Sequence, residues 1–192
     1  MCLQVINWQI IVQKHGPAVW QTAYRLLGND TDTADCFQDT FVSALQVCRR
    51  ERVRNFAALL VKLATARAID QLRQRVHRSQ ASAAWADCKA EPDVSTTPFQ
   101  QLQTQELAAK LLDTVARLPD QEAQVFCLRY LNGMSYRLIA KQLGVSTNAA
   151  GVALHRARTK LRRLLENDTG EQESEATHET AKGHLDQGHR SS

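Results

Sequence analysis

The chain has 192 residues, 43% of them hydrophobic and 6% aromatic, which allows one or two small domains with modest cores. Its formal net charge is +4, but residues 166–192 hold seven acids against Lys182 and Arg190, so residues 1–165 carry +9. Five scattered cysteines without a CxxC or a histidine at zinc-ligand spacing argue against a disulfide framework or a metal centre, and no apolar run approaches a membrane span. The chain is therefore expected to be soluble and cytoplasmic.

Residues 2–14 suit a short helix that Gly16-Pro17 interrupts, with Pro17 placed to begin a second helix ending at Gly28-Asn29. Asp30 or Thr31 is expected to cap a third. On that helix Ala34, Phe37, Phe41 and Cys48 lie to one side, while Asp35, Gln38 and Asp39 fall together on another. Two carboxylates and an amide on one face make an acidic patch in a basic half, suited to a protein partner or to simple solvation. With no third group and no histidine nearby, they do not form a catalytic pair.

A basic connector, Arg49-Arg50-Glu51-Arg52-Val53-Arg54, ends at Asn55, which can cap a long helix from Phe56 to about Arg78. Leu60, Leu63, Ala64, Ala68 and Leu72 mark its buried side; Lys62, Ala66, Asp70 and Arg73 share another face, and Arg67 intrudes on the apolar stripe. Cations crowd its C-terminal end beyond what a helix dipole needs, as a phosphate-tracking surface would. Ser, Ala, Asp, Thr and Pro then dominate to about Pro98, a linker composition with Trp85 as its single large anchor. Helical character resumes from Gln100 to Arg117.

Leu118 to Leu165 is punctuated as three helices. Pro119, Asp120 and Glu122 open the first and Asn132-Gly133 stops it; a short second helix runs from about Ser135 to Leu143. Gly144 turns the chain and Ser146 can cap the third, whose stripe of Ala150, Leu154, Ala157, Leu161 and Leu164 faces a core. Its other faces carry His155, Arg156, Arg158, Lys160, Arg162 and Arg163, with no acid before Glu166. A helix pair joined by a short glycine-containing turn, with a cationic second helix, is how a helix is presented to a major groove; a three-helix bundle with a solvated basic face is the plainer reading. Beyond Glu166 the polar tail cannot bury enough to order itself.

No phosphate loop, nucleophile elbow, metal cluster or βαβ alternation is found. The expectation is an all-α, non-catalytic chain without metal or cofactor: a helical domain over 1–78, a flexible linker over 79–106, a helix-turn-helix domain over 107–166 and a disordered acidic tail over 167–192.

Together the two modules resemble the sigma-70 superfamily, and within it the extracytoplasmic-function (ECF) type of RNA polymerase sigma factor. Ala-Tyr-Arg-Leu-Leu-Gly-Asn-Asp at 23–30 and Asp-Thr-Ala-Asp-Cys-Phe-Gln-Asp-Thr-Phe at 32–41 look like the family's second conserved region. The resemblance implies that Asp35, Gln38 and Asp39 dock on the clamp helices of the polymerase largest subunit. It implies that Asn55 to Arg73 captures the −10 promoter element, the preceding loop holding a flipped base. Arg52, Arg54, Asn55, Lys62, Ala66, Arg67, Asp70 and Arg73 are the candidate contacts there.

Leu118 to Leu165 is similar to the family's fourth region, which reads the −35 element, and Leu-His-Arg-Ala-Arg at 154–158 matches it closely. Thr147, Asn148, Ala153 through its methyl, His155, Arg156, Arg158, Lys160 and Arg162 are the candidate contacts. The chain departs from the family at Leu59 for Trp, Ala66 for Asn and Leu138 for Glu. Ala149-Ala150-Gly151 at the recognition-helix start shifts specificity towards DNA shape. The resemblance thus implies a sigma factor whose partners are core polymerase, promoter DNA and an anti-sigma factor, with no membrane and no small-molecule substrate. A stand-alone operator-binding regulator, or a helical adaptor with an acidic partner, are the readings from other classes.

Overall fold

The computed structural model describes residues 6–83 and 98–182, with side chains over 6–78 and 107–166. Among these residues all regular structure is helical, without strands. Asn7 accepts the Ile10 N–H at 3.2 Å and starts α1 (Trp8–Leu27), which Gly28 ends at φ 73°, in the left-handed region that glycine tolerates. The expected break at Gly16-Pro17 does not occur: α1 runs straight through both residues. Gly16 is buried, and a Cβ there would already meet the Phe37 ring at 3.5 Å, so close packing holds the segment helical while Pro17 faces outward.

Asn29, rather than Asp30 or Thr31, caps α2 (Asp30–Arg50), accepting the Asp32 N–H at 2.8 Å. Asn55 caps α3 (Phe56–Ala83) as its sequence position predicts, accepting the Ala58 N–H at 3.0 Å. Then follow α4 (Pro98–Ala116), α5 (Asp120–Tyr130), α6 (Tyr136–Leu143) and α7 (Thr147–Lys182). Helices α3 and α4 therefore reach into the expected 79–106 linker from both sides, and only 84–97 of it, with Trp85, lies outside the described residues. Helix α7 continues over 167–182, into the range of the expected tail. A helix already nucleated in its packed half extends cheaply through helix formers such as Glu171, Glu173, Ala176 and Glu179. Residues 183–192 lie outside the described residues.

The helices form two modules, α1–α3 and α4–α7, but their cores merge. Val19, Phe41, Ala44, Leu60 and Ala64 pack within the first module. Val125, Leu128, Ile139, Ala150 and Leu154 pack within the second, and Ala58 of α3 joins them. A third cluster joins Ala23, Leu26, Cys36, Ala68 and Ile69 to Val115, Leu118, Cys127, Ala157 and Leu161. Helix α3 is the shared wall. Polar contacts follow the same seam: the Thr22 hydroxyl donates to Asn132 Oδ1 at 2.8 Å, and Arg25 donates to the Leu131 carbonyl at 2.5 Å.

Burial pushes the Cys36 thiol up to about 11 and the Cys127 thiol up to about 12, so both behave as small apolar core groups. No helix among the described residues is long and apolar enough to cross a membrane. Leu128 is fully buried where α5 meets α6 and α7. Leu128→Ala is expected to cost about 2–5 kcal/mol, read as a lower urea midpoint by circular dichroism.

Candidate nucleic-acid interface

The helix-turn-helix is built by local chemistry. Ser135 starts α6 by accepting the Leu138 N–H at 3.3 Å, Gly144 turns the chain at φ 68°, and Ser146 starts α7 by accepting the Ala149 N–H at 3.0 Å. Ile139 and Ala140 seat α6 against Ala150, Ala153 and Leu154, which fixes the direction in which α7 leaves the turn. Thr147, Asn148, His155, Arg156, Arg158 and Arg162 are all exposed, a polar and cationic face opposite that core.

Two of the expected −35 contacts sit differently. Ala153 is 7% exposed and belongs to the core, because the buried stripe includes 150, 153, 154, 157 and 161, and Val152, 42% exposed, stands on the outward side. Lys160 is paired: its ammonium donates to Oε1 of the buried Glu122 at 2.9 Å, pinning α7 to α5. Removing a base from that carboxylate would leave it buried alone, so the pair is a structural tie as much as a phosphate contact.

Across the other module, Arg52 and Arg54 are exposed in the α2–α3 connector, and Asn55 is used as the α3 cap. Lys62 and Ala66 are half-buried, whereas Arg67 and Asp70 are exposed. Arg67 donates to Ser43 Oγ at 3.1 Å. Between α2 and α3 lies a cleft of about 300 Å³ lined by Ser43, Gln46, Arg50, Ala66, Arg67 and Asp70, among others. It thus gathers three of the predicted −10 residues, Ala66, Arg67 and Asp70, and adds others, among them Ser43 and Gln46, that periodicity did not single out. Ser43 and Gln46 share a side of α2, but which side meets α3 is settled only by packing.

Arg73 is held elsewhere. Its Nε donates to the Ala116 carbonyl at 3.0 Å, Nη2 donates to the Leu118 carbonyl at 2.7 Å, and Nη1 pairs with Asp120. Asp35, Gln38 and Asp39 stand exposed together on α2, and Val42, 53% exposed, continues their face one turn on. That apolar residue was not singled out from sequence, although its i+3 spacing from Asp39 was available.

These surfaces define an all-helical protein with a helix-turn-helix, a cationic helix-lined cleft and a separate acidic face. Residues 11–78 match sigma-70 region 2, and residues 108–161 match sigma-70, region 4. The chain is 30% identical to the RNA polymerase sigma factor CnrH of Cupriavidus metallidurans, over 83% of this chain and 86% of that protein. It is 28% identical to the ECF RNA polymerase sigma factor SigE of Mycolicibacterium smegmatis, covering 86% of this chain and 64% of SigE. The structure of CnrH in complex with the cytosolic domain of CnrY overlays with a TM-score of 0.52 at 25% identity, covering 84% of this chain and 88% of that one. This chain belongs to the sigma-70 family of RNA polymerase sigma factors, in its extracytoplasmic-function branch.

The recognition helix carries one removable weakness. A Cβ at Gly151 would meet nothing within 4 Å, and its φ is not in the left-handed region. Gly151→Ala is expected to raise stability by up to about 1 kcal/mol, seen as a higher Tm.

Proposed function

We propose that this chain binds core RNA polymerase in the cytoplasm, has no active site of its own, and sets two DNA-reading surfaces on a promoter so that the duplex opens near the start site. The observation that carries the reading is the division of labour on α2. One face exposes Asp35, Gln38 and Asp39 with Val42 one turn further on, and another helps α3 form the cationic cleft. An exposed apolar residue beside two carboxylates suits a helical protein partner, since a desolvated contact supplies affinity and the charges supply register. A catalytic role finds no support in that face.

The cleft suits an extruded non-template base of the −10 element. Its volume lies at the small end of ligand sites, Arg50 and Arg67 can hold flanking phosphates, and the Asp70 carboxylate can accept from an exocyclic amino group. At the −35 element, Thr147, Asn148, His155 and Arg156 lead into the groove. Arg158 and Arg162 track the backbone, and Arg52, Arg54 and Lys62 do so near the −10 element. CnrH is found in a complex with the cytosolic domain of CnrY, which supports a regulatory protein partner, such as an anti-sigma factor, for this chain as well.

Asp35→Lys with Asp39→Lys is expected to abolish association with core polymerase while DNA binding by the isolated chain persists; unchanged association overturns the proposal. Val42→Asp is expected to weaken the same association without touching DNA. Reversing Arg156, Arg158 and Arg162 to Glu is expected to weaken promoter binding across sequences and to flatten the slope of log K against log salt by roughly 2–3, measured by titration at several salt concentrations.

A further inference from the structure

The helices assigned to the two promoter elements are packed too close together to reach both. Ala68, next to Arg67 and two residues from Asp70, shares a core with Ala157, which lies between Arg156 and Arg158. Helix α5 stands between α3 and α7 and packs on each, as α4 and α6 also do. At about 8–10 Å per helix-helix contact, the two reading helices lie roughly 20 Å apart. Elements centred at −10 and −35 are about 25 base pairs apart, roughly 85 Å along B-form DNA at about 3.4 Å per pair.

The tie that closes this gap includes a residue of the DNA surface itself. Arg73, on the α3 face expected to hold promoter phosphates, is 22% exposed and spends its guanidinium on Asp120 and on the carbonyls of Ala116 and Leu118. Those two carbonyls lie at the end of α4 and in the turn before α5, where backbone acceptors have no helical partner of their own. Asn132, in the loop after α5, receives the Thr22 hydroxyl from α1 and donates to Thr65 Oγ1 of α3 at 3.4 Å. Arg75 turns back to the Leu27 carbonyl at 2.9 Å, within its own module.

We propose that Arg73 is a two-state latch. In the closed chain it binds Asp120 and holds the helix-turn-helix module against α3; in the open chain it is released to a DNA phosphate, so promoter engagement and closure compete for one guanidinium. This rests on the proposed two-point grip on a promoter. Closure lowers the apparent affinity for any partner that needs the open form by the fraction of chain that is open.

The test uses the full chain carrying Asp120→Lys, which sets a second cation against Arg73 on a residue outside the DNA-binding set. Asp120 is 75% exposed, so its replacement removes little packing. Small-angle scattering of the free protein is expected to show a larger radius of gyration for the variant than for the wild type, with unchanged helical circular dichroism. Binding to core polymerase is expected to tighten on the order of fivefold. An unchanged radius of gyration with helicity retained overturns the latch, as does a wild type that already scatters as two separated modules. Should Asp120→Lys lose helicity, Asp120→Asn, which removes the charge that holds Arg73, is measured instead, and the same two outcomes decide. A variant that expands while neither form binds polymerase leaves the latch standing and defeats the sigma-factor reading instead.

Discussion

Everything in this molecule depends on helix α3 being packed by both halves of the chain. Leu60, Ala64, Ala68 and Leu72 are fully buried in it, and Ala58 reaches into the core of the helix-turn-helix module. Small residues dominate that wall, which lets helices approach from two sides without a void; a bulky side chain at Ala64 or Ala68 would push one partner away. The side of α3 left outside, with Lys62, Ala66, Arg67 and Asp70, is consequently narrow and polar. That narrow strip is what closes against α2 to make the cleft.

Charge is sorted onto separate elements. Asp35 and Asp39 stand exposed on one side of α2, while Arg156, Arg158 and Arg162 stand exposed on α7 and Lys160 is spent on Glu122. Such sorting gives one small protein two unlike partners: an apolar-centred acidic face for a protein, and cationic surfaces for a polyanion. With alanines and a glycine at its start, α7 offers few side chains to base edges. Placement of the helix, set by Ser146, Gly144 and the α5–α6 core, then matters more than any single hydrogen bond.

What the sequence reveals is what local chemistry decides. Asn55 and Ser146 cap where their positions predict, Gly28 and Gly144 turn where they should, and the acidic and basic faces are exposed as their periodicity requires. What it hides is decided at a distance. Gly16-Pro17 reads as a break until Phe37, on another helix, packs against Gly16. Ala153 reads as outward because alanine carries little signal of burial, and Lys160 reads as a phosphate ligand until Glu122 is brought beside it from 38 residues away. The merging of two expected domains into one core rests on contacts such as Thr22 with Asn132, separated by 110 residues, which no periodicity encodes. Family resemblance located the two modules but was silent on how they meet.

The central claim is that this chain directs RNA polymerase to promoters. The most direct measurement is run-off transcription by core polymerase across a promoter library, with and without the purified chain. The account predicts discrete transcripts that appear only when the chain is added and that share sequence features near −10 and −35. Transcription indifferent to the chain, on every template of the library, would contradict it.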